Sequence, residues 1–89
     1  MDNLVDPALL SKLVRYRCRR GVRELDVLLG GFYDQSFSSL STQSQQAMLR
    51  LLEWEDMLLI DALFGIFEDT KDREVERLLE QLRHYANRL

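Results

Sequence analysis

The sequence predicts an all-α fold, a compact bundle of about five helices in a single domain spanning residues 1–89. Apolar residues recur at spacings of three and four along most of the chain. No stretch alternates with the period of two that a half-buried strand requires. Helix start and stop signals, such as Asp6-Pro7 and Gly21, separate the apolar stretches. A chain of this length buries roughly 60 to 65% of its unfolded surface, which is enough for one packed domain.

The first two helices are predicted on either side of Gly21. Asp6 is placed as the N-cap and Pro7 as the first helical residue, so helix one is expected from Pro7 to about Arg19. We expect Gly21 to end this helix by adopting the left-handed backbone conformation. Helix two is expected from about Val22, and its apolar stripe should pack in the core. The stripe consists of Val22, Leu25, Leu28, Leu29, Phe32 and Tyr33.

The pair Gly30-Gly31 falls within helix two. Glycine costs about 1 kcal/mol of helix propensity per residue relative to alanine. The pair therefore either weakens this helix or lets another backbone approach closely, and of the two we expect close packing.

A polar run from Ser36 to Ser44 predicts a loop, because its serines compete for backbone hydrogen bonds. Ser41 or Thr42 is expected to cap helix three. One face of helix three is predicted to carry Met48, Leu51, Leu52 and Glu55, flanked by Ala47 and Trp54.

Asp56 is expected to cap a short fourth helix, Met57 to Phe64, which Gly65 ends. This helix is apolar nearly all round and is therefore expected to be deeply packed. Asp69 or Thr70 is expected to open the last helix. The apolar stripe of that amphipathic helix contains Val75, Leu78, Leu79, Leu82, Tyr85, Ala86 and Leu89.

Charge is distributed unevenly along the chain, whose net charge is −3. Six of the twelve basic residues lie between Lys12 and Arg23, whereas ten of the fifteen acidic residues lie from Glu53 onward. Such polarity favours association with an oppositely charged surface, although a run of charge is more often a solvated helix face.

The sequence offers little for catalysis or metal binding. Cys18 is the single cysteine, which excludes an internal disulfide, and we expect it to be partly buried and inert. His84 is the single histidine and is expected to be exposed on the last helix. Glu53, Glu55 and Asp56 lack the spacing of a calcium loop and are interpreted as a solvated patch. We therefore predict no catalytic residue and no metal site.

The segment from Cys18 to Asp26 is the strongest candidate for a functional site. Three arginines within it offer planar donor forks, and two carboxylates follow them closely. A structural interpretation stays open, in which Gly21 ends helix one and the arginines complement its dipole. In the functional interpretation the side chains face outward and bind a protein partner. The predicted contact residues are Arg19, Arg20, Gly21, Arg23, Glu24 and Asp26.

This segment resembles the succinate dehydrogenase flavin-assembly factor family (SdhE), whose Arg-Gly-x-x-Glu motif is matched by Arg20, Gly21 and Glu24. The resemblance covers roughly residues 12 to 85. It departs from the family at Met57, where proline is frequent, and at Gly30-Gly31, where bulky residues are usual. The residues that carry the further similarity are Val27-Leu28-Leu29, Phe32-Tyr33, Leu40-Ser41, Leu51-Leu52-Glu53 and Asp56.

The resemblance implies a non-enzymatic FAD assembly factor. It would bind the flavoprotein subunit of succinate dehydrogenase, and that of fumarate reductase, and promote covalent attachment of FAD to a histidine of the target. The chain itself would bind no cofactor stably. With Arg20 and Glu24 at the surface, alanine at either position is expected to change the free energy of unfolding by no more than about 0.5 kcal/mol.

An alternative is a small helical regulator that binds nucleic acid, because the arginines could contact phosphates. The negative net charge and the neighbouring Glu24 and Asp26 count against it. The resemblance also implies an antitoxin-like role as an alternative, since that role is suggested for some members of the family. The segments predicted to be helical are too short for membrane insertion, since the longest apolar stretch runs only from Met57 to Ile60. The single cysteine and the lack of an apparent signal peptide fit a cytoplasmic location. The chain is also expected to be a monomer.

Overall fold

A computed structural model describes residues 6–65 and 70–89 of the chain. These residues form five α-helices and a short 3-10 helix, Phe37–Ser39, and the described ranges contain no strand. The predicted all-α class is confirmed. The helices are α1 (Pro7–Arg17), α2 (Arg23–Ser36), α3 (Thr42–Leu51), α4 (Asp56–Phe64) and α5 (Arg73–Ala86).

The core lies where α3 packs against α1 and α5, while α2 and α4 also pack against α5. Helix α5 contributes Val75, Leu78, Leu79 and Leu82 to this core, as its spacing of three and four residues predicts. Leu89, which was also placed in the stripe, follows the end of the helix and is 67% exposed, so that part of the prediction is wrong. The fully buried side chains are mostly leucines, which accounts for the close contact of five short helices. The largest of them are Leu10, Leu25, Leu28, Leu29, Met48, Leu51, Leu59, Leu78, Leu79 and Leu82.

Helix α1 begins as predicted and ends slightly early. The Asp6 carboxylate accepts hydrogen bonds from the backbone N–H groups of Ala8 (3.1 Å) and Leu9 (3.3 Å). The helix ends at Arg17 rather than near Arg19, because the chain turns at Cys18 toward Gly21. Gly21 has a φ of +83°, which confirms the predicted left-handed conformation.

The polar run Ser36 to Ser44 is more structured than predicted. Phe37 starts a single 3-10 turn, and its ring is buried and stacks on Tyr33 with 4.8 Å between ring centroids. Ser41 is the N-cap of α3, accepting from the Ser44 N–H at 3.1 Å, so the last residues of the run are already helical. The buried Phe37 ring is what anchors this segment.

The starts of the last two helices differ from the predictions. Glu55, not Asp56, occupies the N-cap position of α4, and Asp56 is the first helical residue. Asp72 caps α5 by accepting from the Val75 N–H at 3.2 Å, so the prediction of Thr70 is wrong. Asp69, the other predicted cap, lies outside the described residues.

Asp72 also joins α3 to α5. Its carboxylate accepts from Nε (2.8 Å) and Nη2 (3.1 Å) of Arg50, which lies in the last turn of α3. This bidentate pairing is the main reason that the pKa of the Asp72 carboxyl is lowered.

The two glycines of α2 differ in their surroundings. A Cβ atom on Gly31 would collide with the hydroxyl of Tyr85, whose ring also packs edge-on against Phe32 with 5.8 Å between centroids. A Cβ atom on Gly30 would meet nothing within 4 Å. The predicted close packing is therefore confirmed at Gly31, although an aromatic side chain rather than a backbone makes the contact.

Helix α4 is not deeply packed, contrary to the prediction from its composition. Leu59, Ala62 and Leu63 are buried, whereas Met57 is 67% exposed and Phe64 is 50% exposed. The helix packs on α5 through one side and presents its apolar outer side to solvent. None of the helices in the ranges 6–65 and 70–89 has the length and apolar character needed to cross a bilayer.

Candidate functional site

The candidate site is the motif turn, defined here as residues 18–26, which joins α1 to α2 and includes the first turn of α2. The carboxylate of Asp26 accepts from the backbone N–H of Arg20 at 2.6 Å and from that of Gly21 at 3.3 Å. These bonds fix the backbone on both sides of the left-handed glycine. Asp26 is therefore an internal brace of the turn, since its carboxylate is engaged by the backbone.

The side chain of Arg20 points inward, so the prediction that it faces outward is wrong. Its side chain is only 13% exposed, and its Nε donates to Oδ1 of Asp56 at 2.8 Å. Its Nη1 donates to the backbone carbonyl of Leu52 at 2.6 Å, and its Nη2 donates to that of Trp54. A further, longer bond of 3.3 Å runs from Nη1 to the carbonyl of Arg17.

These contacts place the Arg20 guanidinium where four chain segments meet, namely the end of α1, the motif turn, the α3–α4 turn and the start of α4. Leu52 and Trp54 lie in the turn that connects α3 to α4, and Asp56 begins α4. Carbonyl groups at the end of a helix have no partner within that helix, and a planar donor fork can serve several of them together. Arg20 therefore clamps the motif turn onto the α3–α4 turn.

The remaining predicted contact residues face solvent. Arg19, Gly21, Arg23 and Glu24 are all exposed. Arg17 pairs with Glu53 at 3.6 Å on the adjoining surface, and both of these side chains are also accessible. The motif turn thus separates its side chains into two groups. Arg20 and Asp26 hold the turn, while Arg19, Arg23 and Glu24 stand around Gly21 with free access for a partner.

Cys18, the first residue of the motif turn, is buried and only 4% exposed. Burial raises the pKa of its thiol from 9.0 to about 12, although the nearby Arg20 charge opposes this shift. A shallow pocket of about 370 Å³ beside it is lined by residues that include Arg15, Asp26 and Gly30. At neutral pH the sulfur is a protonated thiol, which is a poor nucleophile.

The other side chains considered for catalysis or metal binding are either separate from one another or already bonded to another residue. His84 is exposed on α5, as predicted, and lines an open groove with Arg77 and Glu80. Of the predicted solvated acidic patch, Glu53 and Glu55 are exposed but Asp56 is held by Arg20. Within residues 6–65 and 70–89 no group of three or more His, Cys, Asp or Glu side chains could hold a metal ion.

Two features of the site were missed from the sequence. The first is the contact between Arg20 and Asp56, which are separated by 36 positions and by two helices. A signal for this contact was the end of α3, because backbone carbonyls at a helix end have no acceptor role within the helix and need a donor from elsewhere in the chain. The second is the exposed outer side of α4, for which the apolar residues Met57 and Phe64, seven positions apart, were the signal.

Comparison with known proteins shows similarity along most of the chain. Residues 12–86 match the model of a family described as flavinator of succinate dehydrogenase. The chain is 40% identical over 76 residues to the FAD assembly factor SdhE of Coxiella burnetii, covering 83% of this chain and 93% of the relative. It is 41% identical over 73 residues to the protein of the same name from Shewanella oneidensis, covering 82% and 88%. The corresponding protein of Idiomarina loihiensis is 36% identical over 79 residues, covering 89% and 83%.

Proposed function

The chain belongs to the family of flavinators of succinate dehydrogenase, and from this premise we propose that it is an FAD assembly factor. It binds the flavoprotein subunit of succinate dehydrogenase and promotes the covalent attachment of FAD to a histidine of that subunit. It carries out no catalytic step of its own. The flavoprotein of fumarate reductase is a second target of the same kind.

The observation that carries the proposal is the geometry of the motif turn. Arg19, Arg23 and Glu24 are exposed around Gly21, while Arg20 and Asp26 hold the backbone beneath them. A surface held in this way loses little conformational freedom on binding, because the turn is already ordered before the partner arrives. Both signs of charge are present, which suits a protein surface better than a phosphate backbone.

The contribution to flavin attachment is positioning. Holding a target histidine and the flavin in reacting geometry supplies several kcal/mol of the barrier, and about 7–11 kcal/mol for well-oriented reactants, without any group of the assembly factor taking part. The neutral, buried Cys18 and the exposed His84 support a role without a nucleophile from this chain. FAD remains with the flavoprotein and is not bound stably by the assembly factor, which acts as a monomer in the cytoplasm.

The test is reconstitution with the apo flavoprotein subunit of succinate dehydrogenase and FAD. Covalent flavin is measured by in-gel fluorescence after denaturation, with and without the purified chain, and complex formation is measured by co-purification. We expect the chain to form a complex and to increase covalent flavin. A chain that neither binds the apo subunit nor increases covalent flavin would overturn the proposal. Submicromolar, salt-sensitive binding to duplex DNA would instead support the nucleic-acid-binding alternative.

A further inference from the structure

Helix α4 leaves an apolar strip on its outer side, defined here as Met57, Ile60 and Phe64. Met57 and Phe64 are 67% and 50% exposed, and Ile60 between them is half-buried. Residues spaced by three, four and seven positions lie along one side of a helix, so the three side chains form one continuous strip. Contiguous exposed apolar side chains of this kind are a candidate contact surface, in contrast to apolar residues scattered singly over a surface.

The strip adjoins the motif turn. Asp56 lies one helical turn before Ile60 on the same side of α4, and its carboxylate is bonded to Arg20 at 2.8 Å. The Arg20 clamp therefore fixes the beginning of the strip against the turn that carries Arg19, Arg23 and Glu24. A partner that covers the exposed residues of the motif turn reaches the start of α4 without a change in the fold.

The charges beside the strip restrict what can cover it. Asp61 is exposed on the same side of α4, and Glu55 is exposed just before the helix. Anionic lipid headgroups would be repelled by these carboxylates. A second copy of the chain docking through the same strip in a two-fold dimer would bring like charges together. A different protein can place cationic side chains opposite the carboxylates and apolar ones opposite Met57 and Phe64.

We propose that the apolar strip of α4 is a second contact surface for the flavoprotein subunit, continuous with the motif turn. The motif turn supplies charged contacts, and the strip supplies the apolar area that anchors the complex. This inference rests on the proposed function, since it names the same partner.

The test uses a double substitution, Met57→Ser with Phe64→Ser, in the full-length chain. The control is Leu9→Ser with Leu89→Ser, because Leu9 is 50% exposed and Leu89 is 67% exposed, matching the two test positions. Affinity for the apo flavoprotein subunit of succinate dehydrogenase is measured by titration calorimetry at low and high salt. Circular dichroism melting checks that each variant is folded.

We expect the α4 variant to bind at least about tenfold more weakly than the control variant, because two anchoring side chains are lost. The loss should be similar at both salt concentrations, since the strip is uncharged. Equal affinity of the folded α4 and control variants, with the parent chain binding normally, would overturn this inference alone. Failure of the parent chain to bind would count against the proposed function instead.

Self-association is measured in parallel by sedimentation of the parent chain. We expect a monomer over the concentration range used for titration. A dimer that the α4 substitutions dissociate, combined with unchanged flavoprotein binding, would show that a second copy covers the strip and would overturn the inference.

Discussion

Arg20 and Asp56 form an ion pair of 2.8 Å across 36 positions of the chain, and this contact fixes the motif turn against the start of α4. The arginine of the Arg-Gly-x-x-Glu motif is therefore directed into the protein, while the glutamate, Glu24, is directed out of it. The two charged members of one short motif have different physical roles, and substitutions should separate them.

Replacing Arg20 with alanine should lower the free energy of unfolding by about 2 kcal/mol or more, as expected when a charge-assisted network loses its donor. The bonds from the guanidinium to the carbonyls of Leu52 and Trp54 and to the carboxylate of Asp56 would be lost. This expected loss is larger than the change of at most about 0.5 kcal/mol expected from the sequence alone, because the Arg20 side chain is not at the surface. Urea denaturation followed by circular dichroism measures it. Arg20→Lys is the control, since it keeps the charge but not the planar fork and should recover less than half of the loss. A stable alanine variant would show that the clamp contributes little.

Replacing Glu24 with alanine should leave the free energy of unfolding within about 0.5 kcal/mol of the parent value, because the side chain is exposed. Binding to the flavoprotein subunit should weaken by about 2 kcal/mol if Glu24 is an anchor in the interface. Calorimetric titration and covalent flavin yield are the measurements. Glu80→Ala, an exposed carboxylate on α5, is the matched control and should bind normally. Equal binding by both variants would remove Glu24 from the interface.

Substitution of Gly21 should act through the backbone. Its φ of +83° disfavours any residue with a Cβ atom, and alanine there should cost about 1 kcal/mol. Nothing lies within 4 Å of a Cβ at this position, so crowding adds no cost. Asparagine tolerates the left-handed region better and should recover part of the loss in thermal melts. Gly21→Arg should lower both stability and flavin attachment. If Gly21→Ala and Gly21→Asn both melt at the same temperature as the parent chain, a side chain at this position causes no backbone strain.

The two glycines of α2 should respond differently to alanine. Gly30→Ala should stabilise the chain by up to about 1 kcal/mol, since a helical alanine there meets nothing within 4 Å. Gly31→Ala should be less stable than Gly30→Ala, because the new methyl group collides with the hydroxyl of Tyr85. Tyr85→Phe should reduce the difference between the two variants. Identical urea midpoints for both alanine variants would contradict the close contact at Gly31.

Cys18 should make folding sensitive to alkaline pH. Below pH 9 the thiol is protonated in both the folded and the unfolded chain, so it contributes no pH dependence. Above its ordinary pKa of 9.0 the unfolded chain releases the proton, while the folded chain keeps it up to about 12, so the free energy of unfolding falls as pH rises through this interval. Urea denaturation from pH 8 to 10 measures the slope. Cys18→Ala is the control, and its free energy of unfolding should depend less on pH. Equal slopes for the parent chain and this variant would contradict the raised pKa of the Cys18 thiol.

The sequence predicted most of the helices because local signals set them. Asp6, Pro7 and Ser41 each act on backbone groups within a few positions, and all three lie where the sequence placed them. Gly21 has the predicted left-handed φ but does not end α1, whose C-cap is Cys18. Asp72 was missed as the cap of α5 because several polar residues precede that helix. Its additional bond to Arg50, which favours it over its neighbours, depends on the packing of α3 against α5.

The candidate site was predicted less completely, because long-range contacts decide which side chains face outward. The residue types of the motif suggested a charged surface, and Arg19, Arg23 and Glu24 are indeed exposed. Nothing local distinguishes Arg20 from Arg19. The difference arises only when α3 brings the carbonyls of Leu52 and Trp54 beneath the turn.

The clamp also couples two connecting segments that would otherwise loosen independently. The carbonyls of Leu52 and Trp54 in the α3–α4 turn accept from a side chain of the α1–α2 connection, so this turn has all its contacts only when both segments are in place. Local unfolding of either one would release the other, and the two should behave as one cooperative unit. A protein that grips the motif turn would therefore also suppress opening at the beginning of α4, even without touching that helix.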